Sequence, residues 1–165
     1  MLATLFQCLD FLRLSGSPAD LSHSRRQMLT LLLLDLLAQS LMLAVLGLPQ
    51  MVWIEGLLVR LLGVWLVLWL RGHPARYVQT LTGLFGVSML LSCGLLAVSV
   101  LYLAAEKVPL LLQLLELIGV GLLGWLWLAG GRVLARGMGV SMPFGVLMIM
   151  ALHSLPLALR VWLAG

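Results

Sequence analysis

At 165 residues, 62% hydrophobic and 10% charged, the chain carries more apolar surface than a soluble domain of this size can bury. Together with a mean hydropathy of +1.14, this excludes a soluble domain and predicts an all-α, polytopic membrane protein built as one compact unit. The net charge of +4 would suggest nucleic acid in a soluble protein. Here it reads as topology, because Lys and Arg gather on the cytoplasmic side, and no nucleic-acid partner is expected.

Leu2 to Leu14 put Leu2, Leu5, Phe6, Leu9 and Leu12 on one helical face, with Gln7 and Asp10 on the other. Thirteen residues are too few to cross a bilayer. The pattern predicts a short amphipathic helix lying at the interface. A signal peptide fits less well, since no positive charge precedes the apolar run and Asp10 interrupts it. Cys8 lacks the small neighbours of a bacterial lipoprotein site and reads as an ordinary interfacial thiol. Ser15 to Asp20 is a turn by composition. Residues 1–24 are thus expected to form a cytoplasmic or interfacial segment, followed by a five-helix transmembrane domain over residues 25–165.

The first span is expected over residues 25–48, opened by a capping box from Ser24 to Gln27. It places Asp35 and Gln39 on one face. Pro49 and Gln50 make a short connection that predicts antiparallel packing of the first two spans. The second span, residues 51–70, is almost wholly apolar yet contains Glu55 and Arg60. An unpaired charge near mid-span costs roughly 3 kcal/mol or more, so Arg60 requires a partner. Gly56 and Gly63 share its face, which predicts a packed, inward-turned guanidinium. Glu55 lies about 140° away around the helix and is not expected to pair with it directly. Asp35 lies fourteen residues before Pro49 and Arg60 eleven after it. Their depths differ by about one turn, which makes Asp35 the first candidate.

Arg71 to Thr80 reads as a basic loop broken by Gly72 and Pro74, with Tyr77 at the interface. The third span, residues 81–103, carries a serine stripe (Ser88, Ser92, Ser99). Opposite it lies a small-residue face of Gly83, Gly86, Cys93, Gly94 and Ala97. Two opposed small faces predict helices on both sides and a central position. Ala104 to Val108 is a short loop in which Glu106 and Lys107 cancel. Pro109 opens the fourth span, residues 109–128, where Gln113, Glu116 and Gly124 share a face. Glu116 is the second candidate partner for Arg60. Gly130-Gly131 is expected to loosen the helix ahead of a basic loop with Arg132 and Arg136. The fifth span, residues 143–163, contains His153 and Pro156, the latter freeing the Leu152 carbonyl. Arg160 and Trp162 come close enough to the end to reach the far interface.

Five spans place Arg13, Arg25, Arg26, Arg71, Arg76, Arg132 and Arg136 on one side. Lys107 and Arg160 fall on the other and Arg60 is buried, which accounts for all ten Lys and Arg. The bias sets the N-terminus in the cytoplasm and the C-terminus outside.

The chemistry-bearing residues reduce to an intramembrane polar set: Asp35, Gln39, Glu55, Arg60, Gln113, Glu116 and His153. They could form a proton or ion pathway. The residues favour instead a buried ion network that fixes helix docking, since one Arg among acids neutralises itself and His153 alone offers a second basic relay. His153 is expected to bond a backbone group freed by Pro156. Ser88 with His153 invites comparison with an intramembrane serine protease. Against it, the same Gly-Val-Ser-Met letters recur at residues 139–142 and Met89 replaces the glycine that rhomboid-type proteases place after the serine. No phosphate loop, HExxH or CxxC occurs. Cys8 and Cys93 are far apart and, with three His, offer no metal spacing and no expected disulfide. No catalytic residue, metal or cofactor is expected. The basic loops need no special lipid partner beyond the positive-inside bias.

Three stretches resemble the small bacterial members of the Yip (Ypt-interacting protein) family of five-span membrane proteins. They are Gly16-Ser-Pro-Ala-Asp-Leu-Ser-His-Ser-Arg25, Pro74-Ala-Arg-Tyr-Val-Gln-Thr-Leu-Thr82 and Trp127-Leu-Ala-Gly-Gly-Arg-Val-Leu-Ala-Arg-Gly137. The resemblance implies a fold and no activity. The small-GTPase binding of eukaryotic members uses a longer N-terminus and is not implied here. The expected role is a non-enzymatic scaffold, or a partner of other membrane proteins or of itself, in contact with the lipid bilayer.

Overall fold

Among the described residues six α-helices follow one another: α1 (Leu2–Leu12), α2 (Arg25–Val45), α3 (Met51–Leu70), α4 (Tyr77–Ala104), α5 (Pro109–Met138) and α6 (Met142–Ala164). A short 3-10 turn, Pro74–Arg76, leads into α4. The computed structural model describes residues 2–15, 21, 24–47, 51–105 and 108–164, without the side chains of 2–5, 51–54, 157, 159–160 and 163–164. No strand occurs among the described residues. Among the described residues three segments are long and apolar enough to cross a membrane: Arg25–Val45, Pro74–Ala104 and Pro109–Met138. The chain is therefore an all-α protein of membrane type.

Local chemistry sets the helix ends. Ser24 caps α2 by accepting from the Gln27 amide at 3.4 Å. Proline stands in the first turn of α5, where its missing N–H costs nothing. Gly139 takes the left-handed conformation (φ +68°) after α5, and the Val140 amide closes back onto the Ala135 carbonyl at 2.9 Å. Gly72 (φ +73°) ends α3 the same way, with His73 bonding Leu68 at 2.8 Å. At α1 the left-handed position falls to Leu14 (φ +58°), and Ser15 bonds Asp10 at 2.9 Å.

Several boundaries differ from the sequence reading. α4 begins at Tyr77 rather than Leu81, because the 3-10 turn at Pro74 starts the helix early. α5 runs ten residues past Leu128, so Gly130-Gly131 does not break it and Arg132 and Arg136 are helical. Those glycines serve packing instead. A Cβ at Gly131 would lie 2.6 Å from the Val146 backbone, and one at Gly145 would strike the Gly131 carbonyl. Here α5 and α6 approach as closely as backbones allow. α6 continues through Pro156. α2 ends at Val45, and the Pro49-Gln50 connection lies outside the described residues, as do most of Ser15–Asp20 and the Glu106-Lys107 pair.

α4 is the central helix. It packs against α2 and α5 most extensively, and also against α1 and α3. Residues 79–89 of α4 are buried on every face. Gly83 receives Phe11 and Val133, Gly86 receives Cys8, and Gly94 faces Leu122 of α5. Cys93 and Ala97, placed on the same small-residue face by the sequence, are exposed. α2 runs parallel to α4: Leu31 lies at Gly86 and Asp35 at Ser92. α5 runs antiparallel, with Val133 opposite Gly83 and Glu116 opposite Tyr102.

Two packing expectations are corrected. α3 takes α6 as its main neighbour rather than α2. A short connection fixes only where two helices begin to diverge, and Gly63 of α3 fits against Leu152 of α6. Gly56, expected to join that face, has nothing within 4 Å. Among the described side chains of α1, Cys8 and Phe11 are buried, while Phe6 (66% exposed) and Leu9 face outward. Cys8 is thus a core thiol rather than an interfacial one, because the hollow over Gly83 and Gly86 admits a small side chain and a flat ring.

Candidate functional site

A polar cluster lies among α2, α3 and α4. Asp35 projects from the middle of α2 and is 1% exposed. Ser92 of α4 donates to its Oδ1 at 3.4 Å. Arg60 of α3 reaches across, with Nη1 4.0 Å from Asp35 Oδ2. That separation is an ion pair without a direct hydrogen bond. Ser88 fills the gap: its Oγ accepts from Arg60 Nη1 at 3.4 Å and from Gln39 Nε2 at 3.3 Å. Asp35 and Gln39 stand one turn apart on α2, Ser88 and Ser92 one turn apart on α4, so each pair faces the other helix, and the bonds cross between levels, Asp35 to Ser92 and Gln39 to Ser88.

Of the residues singled out from sequence, the structure brings together Asp35, Gln39 and Arg60. Ser88 and Ser92, read as packing residues, join them as hydrogen-bond partners. The spacing Asp-x-x-x-Gln beside Ser-x-x-x-Ser is the signal that could have found them. Ser99 stays outside and bonds its own helix, donating to Leu95 O at 2.9 Å.

Glu116 is not a partner of Arg60. It is exposed near the start of α5 and accepts from the Tyr102 hydroxyl at 3.2 Å. The expectation failed because depth was counted without the lateral arrangement: α5 lies across α4 from α2. Gln113 is likewise exposed, as is Glu55 on α3. Gly124, grouped with Gln113 and Glu116, has nothing within 4 Å.

His153 of α6 is half-buried. Its Nδ1 lies 2.8 Å from the Ile149 carbonyl. A carbonyl only accepts, so Nδ1 carries the hydrogen. The partner is one turn back rather than the Leu152 carbonyl freed by Pro156.

The cluster has one acid, one base and neutral donors in balanced contact. Among the described residues no group of three or more His, Cys, Asp or Glu could hold a metal. Charge compensation and helix docking are what this geometry can do directly. Away from the cluster, Arg76 of the 3-10 turn donates to the Arg136 and Gly137 carbonyls at 3.5 and 3.4 Å. This brings the basic residues before α4 and at the end of α5 to one end of the bundle.

Comparison of the chain with protein families, with curated proteins and with solved structures finds no match.

Proposed function

We propose that this is a five-span, non-enzymatic protein of the bacterial inner membrane, acting as a scaffold or partner of other membrane proteins or of itself. α3 and α6 complete the spans: they have 20 and 23 residues, and a helix rises about 1.5 Å per residue. α1 sits at the cytoplasmic interface, its Cys8–Phe11 side inserted over α4 and its Phe6–Leu9 side toward lipid. The N-terminus is cytoplasmic and the C-terminus outside. Gathering of Arg76 and Arg136 at one end supports this orientation. The five-span layout is also what the Yip resemblance implies.

The observation that carries the scaffold reading is the burial of Asp35 at 1% exposure beneath Arg60, Ser88 and Ser92. A sealed ion pair fixes how helices dock. The broad exposed apolar faces of α3, including Leu62, Trp65 and Trp69, leave area for neighbouring membrane chains. Extraction in mild detergent followed by identification of co-purifying chains tests the reading. Stoichiometric membrane partners, or a defined homo-oligomer, are expected. A lone monomer would defeat it.

One observation favours a second reading, a small proton or ion pathway. The Arg60 side chain retains 14% exposure. Asp35→Asn separates the two. A pathway predicts lost flux in liposomes with the fold intact, and a scaffold predicts a weakened fold with no flux to lose.

A further inference from the structure

The end of the α4–α5 pair remote from Arg76 and Arg136 opens as a groove of about 460 Å³, within the usual range for ligand sites. Val98 and Tyr102 of α4 form one wall, Glu116 and Gly119 of α5 the other, and Leu46 at the end of α2 closes one side. The lining is hydrocarbon with few exceptions. Ser99 bonds back to its own helix, so Tyr102 and Glu116 supply the polar end. Tyr102 engages Glu116 Oε1, and among the described residues no cation stands against the carboxylate. Gly119 keeps the passage wide: the nearest atom to a Cβ placed there is Val98 Cγ1 at 4.0 Å.

Leu114, Leu117 and Val120 on the adjoining surface of α5 are 52–69% exposed. The groove therefore opens sideways, and its occupant enters from the bilayer. Glu116 lies seven residues into α5, about 10 Å below the helix end, where lipid headgroups meet hydrocarbon. A carboxylate there selects a cationic head. Its oxygens only accept, so they favour a head that donates N–H over a quaternary one.

We propose that the groove holds an acyl chain of an outer-leaflet phospholipid whose primary ammonium headgroup donates to Glu116, the chemistry of phosphatidylethanolamine. The proposal goes beyond the scaffold role, and it rests on α4 and α5 crossing the membrane with this end outside.

Native mass spectrometry of the full-length protein, incubated with phospholipids of identical chains, tests it. Phosphatidylethanolamine is retained about tenfold better than phosphatidylcholine or phosphatidylglycerol, the scale of one charge-assisted hydrogen bond. The mono- and dimethylated ethanolamine lipids, which keep an N–H, follow the parent, and retention falls at the third methyl. Glu116→Gln lowers phosphatidylethanolamine to the phosphatidylcholine level, and Gly119→Leu lowers all three. Equal retention across the methylation series overturns the proposal on the wild-type protein alone, whether or not the variants fold. A preference that survives Glu116→Gln in folded protein overturns it too, as does a dimer that keeps no lipid and so fills the groove with a second copy. A chain that does not insert into membranes overturns both this proposal and the membrane reading. Lipid retained without ranking overturns this one alone.

Discussion

Arg60 and Asp35 meet at 4.0 Å although α3 and α2 have other principal neighbours, α6 and α4 respectively. Their ion pair spans a cleft that Ser88 of α4 occupies, so three helices share one charge balance. Removing Asp35 leaves a guanidinium uncompensated. Asp35→Asn is expected to destabilise the bundle by about 3–5 kcal/mol, whereas Asp35→Leu with Arg60→Met recovers most of that loss. Thermal unfolding in detergent, followed by Trp fluorescence, measures both. Equal midpoints for Asp35→Asn and wild type would show the pair to be dispensable.

Backbone contact between α5 and α6 depends on absent side chains. Gly131→Ala places a methyl 2.6 Å from the Val146 backbone. A loss of about 1–3 kcal/mol follows from overpacking. Gly121→Ala, with nothing within 4 Å, is expected to be neutral or slightly stabilising, since alanine is the better helix former. The contrast between the two, read by the same unfolding assay, isolates packing from propensity.

Cys8 is fully buried, and burial pushes its thiol up to about 11 from the usual 9.0. A hydrophilic maleimide at pH 7.5 should label it only after denaturation in SDS. The folded thiol keeps its proton when the unfolded one has lost it. Its contribution to stability is therefore complete below pH 9 and declines as the pH rises toward 11. Rapid labelling of native protein would contradict the core position.

The Trp125 indole donates to the Leu12 carbonyl at 2.9 Å and holds the last turn of α1 against α5. Trp125→Phe keeps most of the ring and removes the donor. Faster labelling of Cys8 in the native protein, by several-fold, is the expected result, equivalent to a net hydrogen bond of about 1 kcal/mol.

Single cysteines at Ala75 and Val108, in a chain whose own cysteines are replaced by alanine, test the span count. Ala75 precedes α4 and Val108 precedes α5, and both are exposed. Impermeant maleimide should reach them from opposite sides of the membrane. Labelling from the same side would remove the five-span topology.

Composition and spacing alone determined the class of protein, the existence of each long helix and the need for a partner to Arg60. Those follow from the length a bilayer demands and from the cost of a lone charge in hydrocarbon. They also located Asp35, because depth along a helix is countable from a turn. What tertiary structure decided was lateral. Depth does not say which helices are neighbours, so Glu116 stood as the second candidate until α5 took its place across α4, and Ser88 and Ser92 read as packing residues until α2 packed beside them. The glycines divide in the same way. Gly130-Gly131 is indistinguishable from a helix breaker in sequence, and only the approach of Gly145 from α6 gives it a packing role. α1 is the sharpest case: its leucines and phenylalanine mark one apolar face, but in lipid both sides of a helix can be apolar. The buried side is chosen by the shape of the hollow above Gly83 and Gly86, which Cys8 and Phe11 fit.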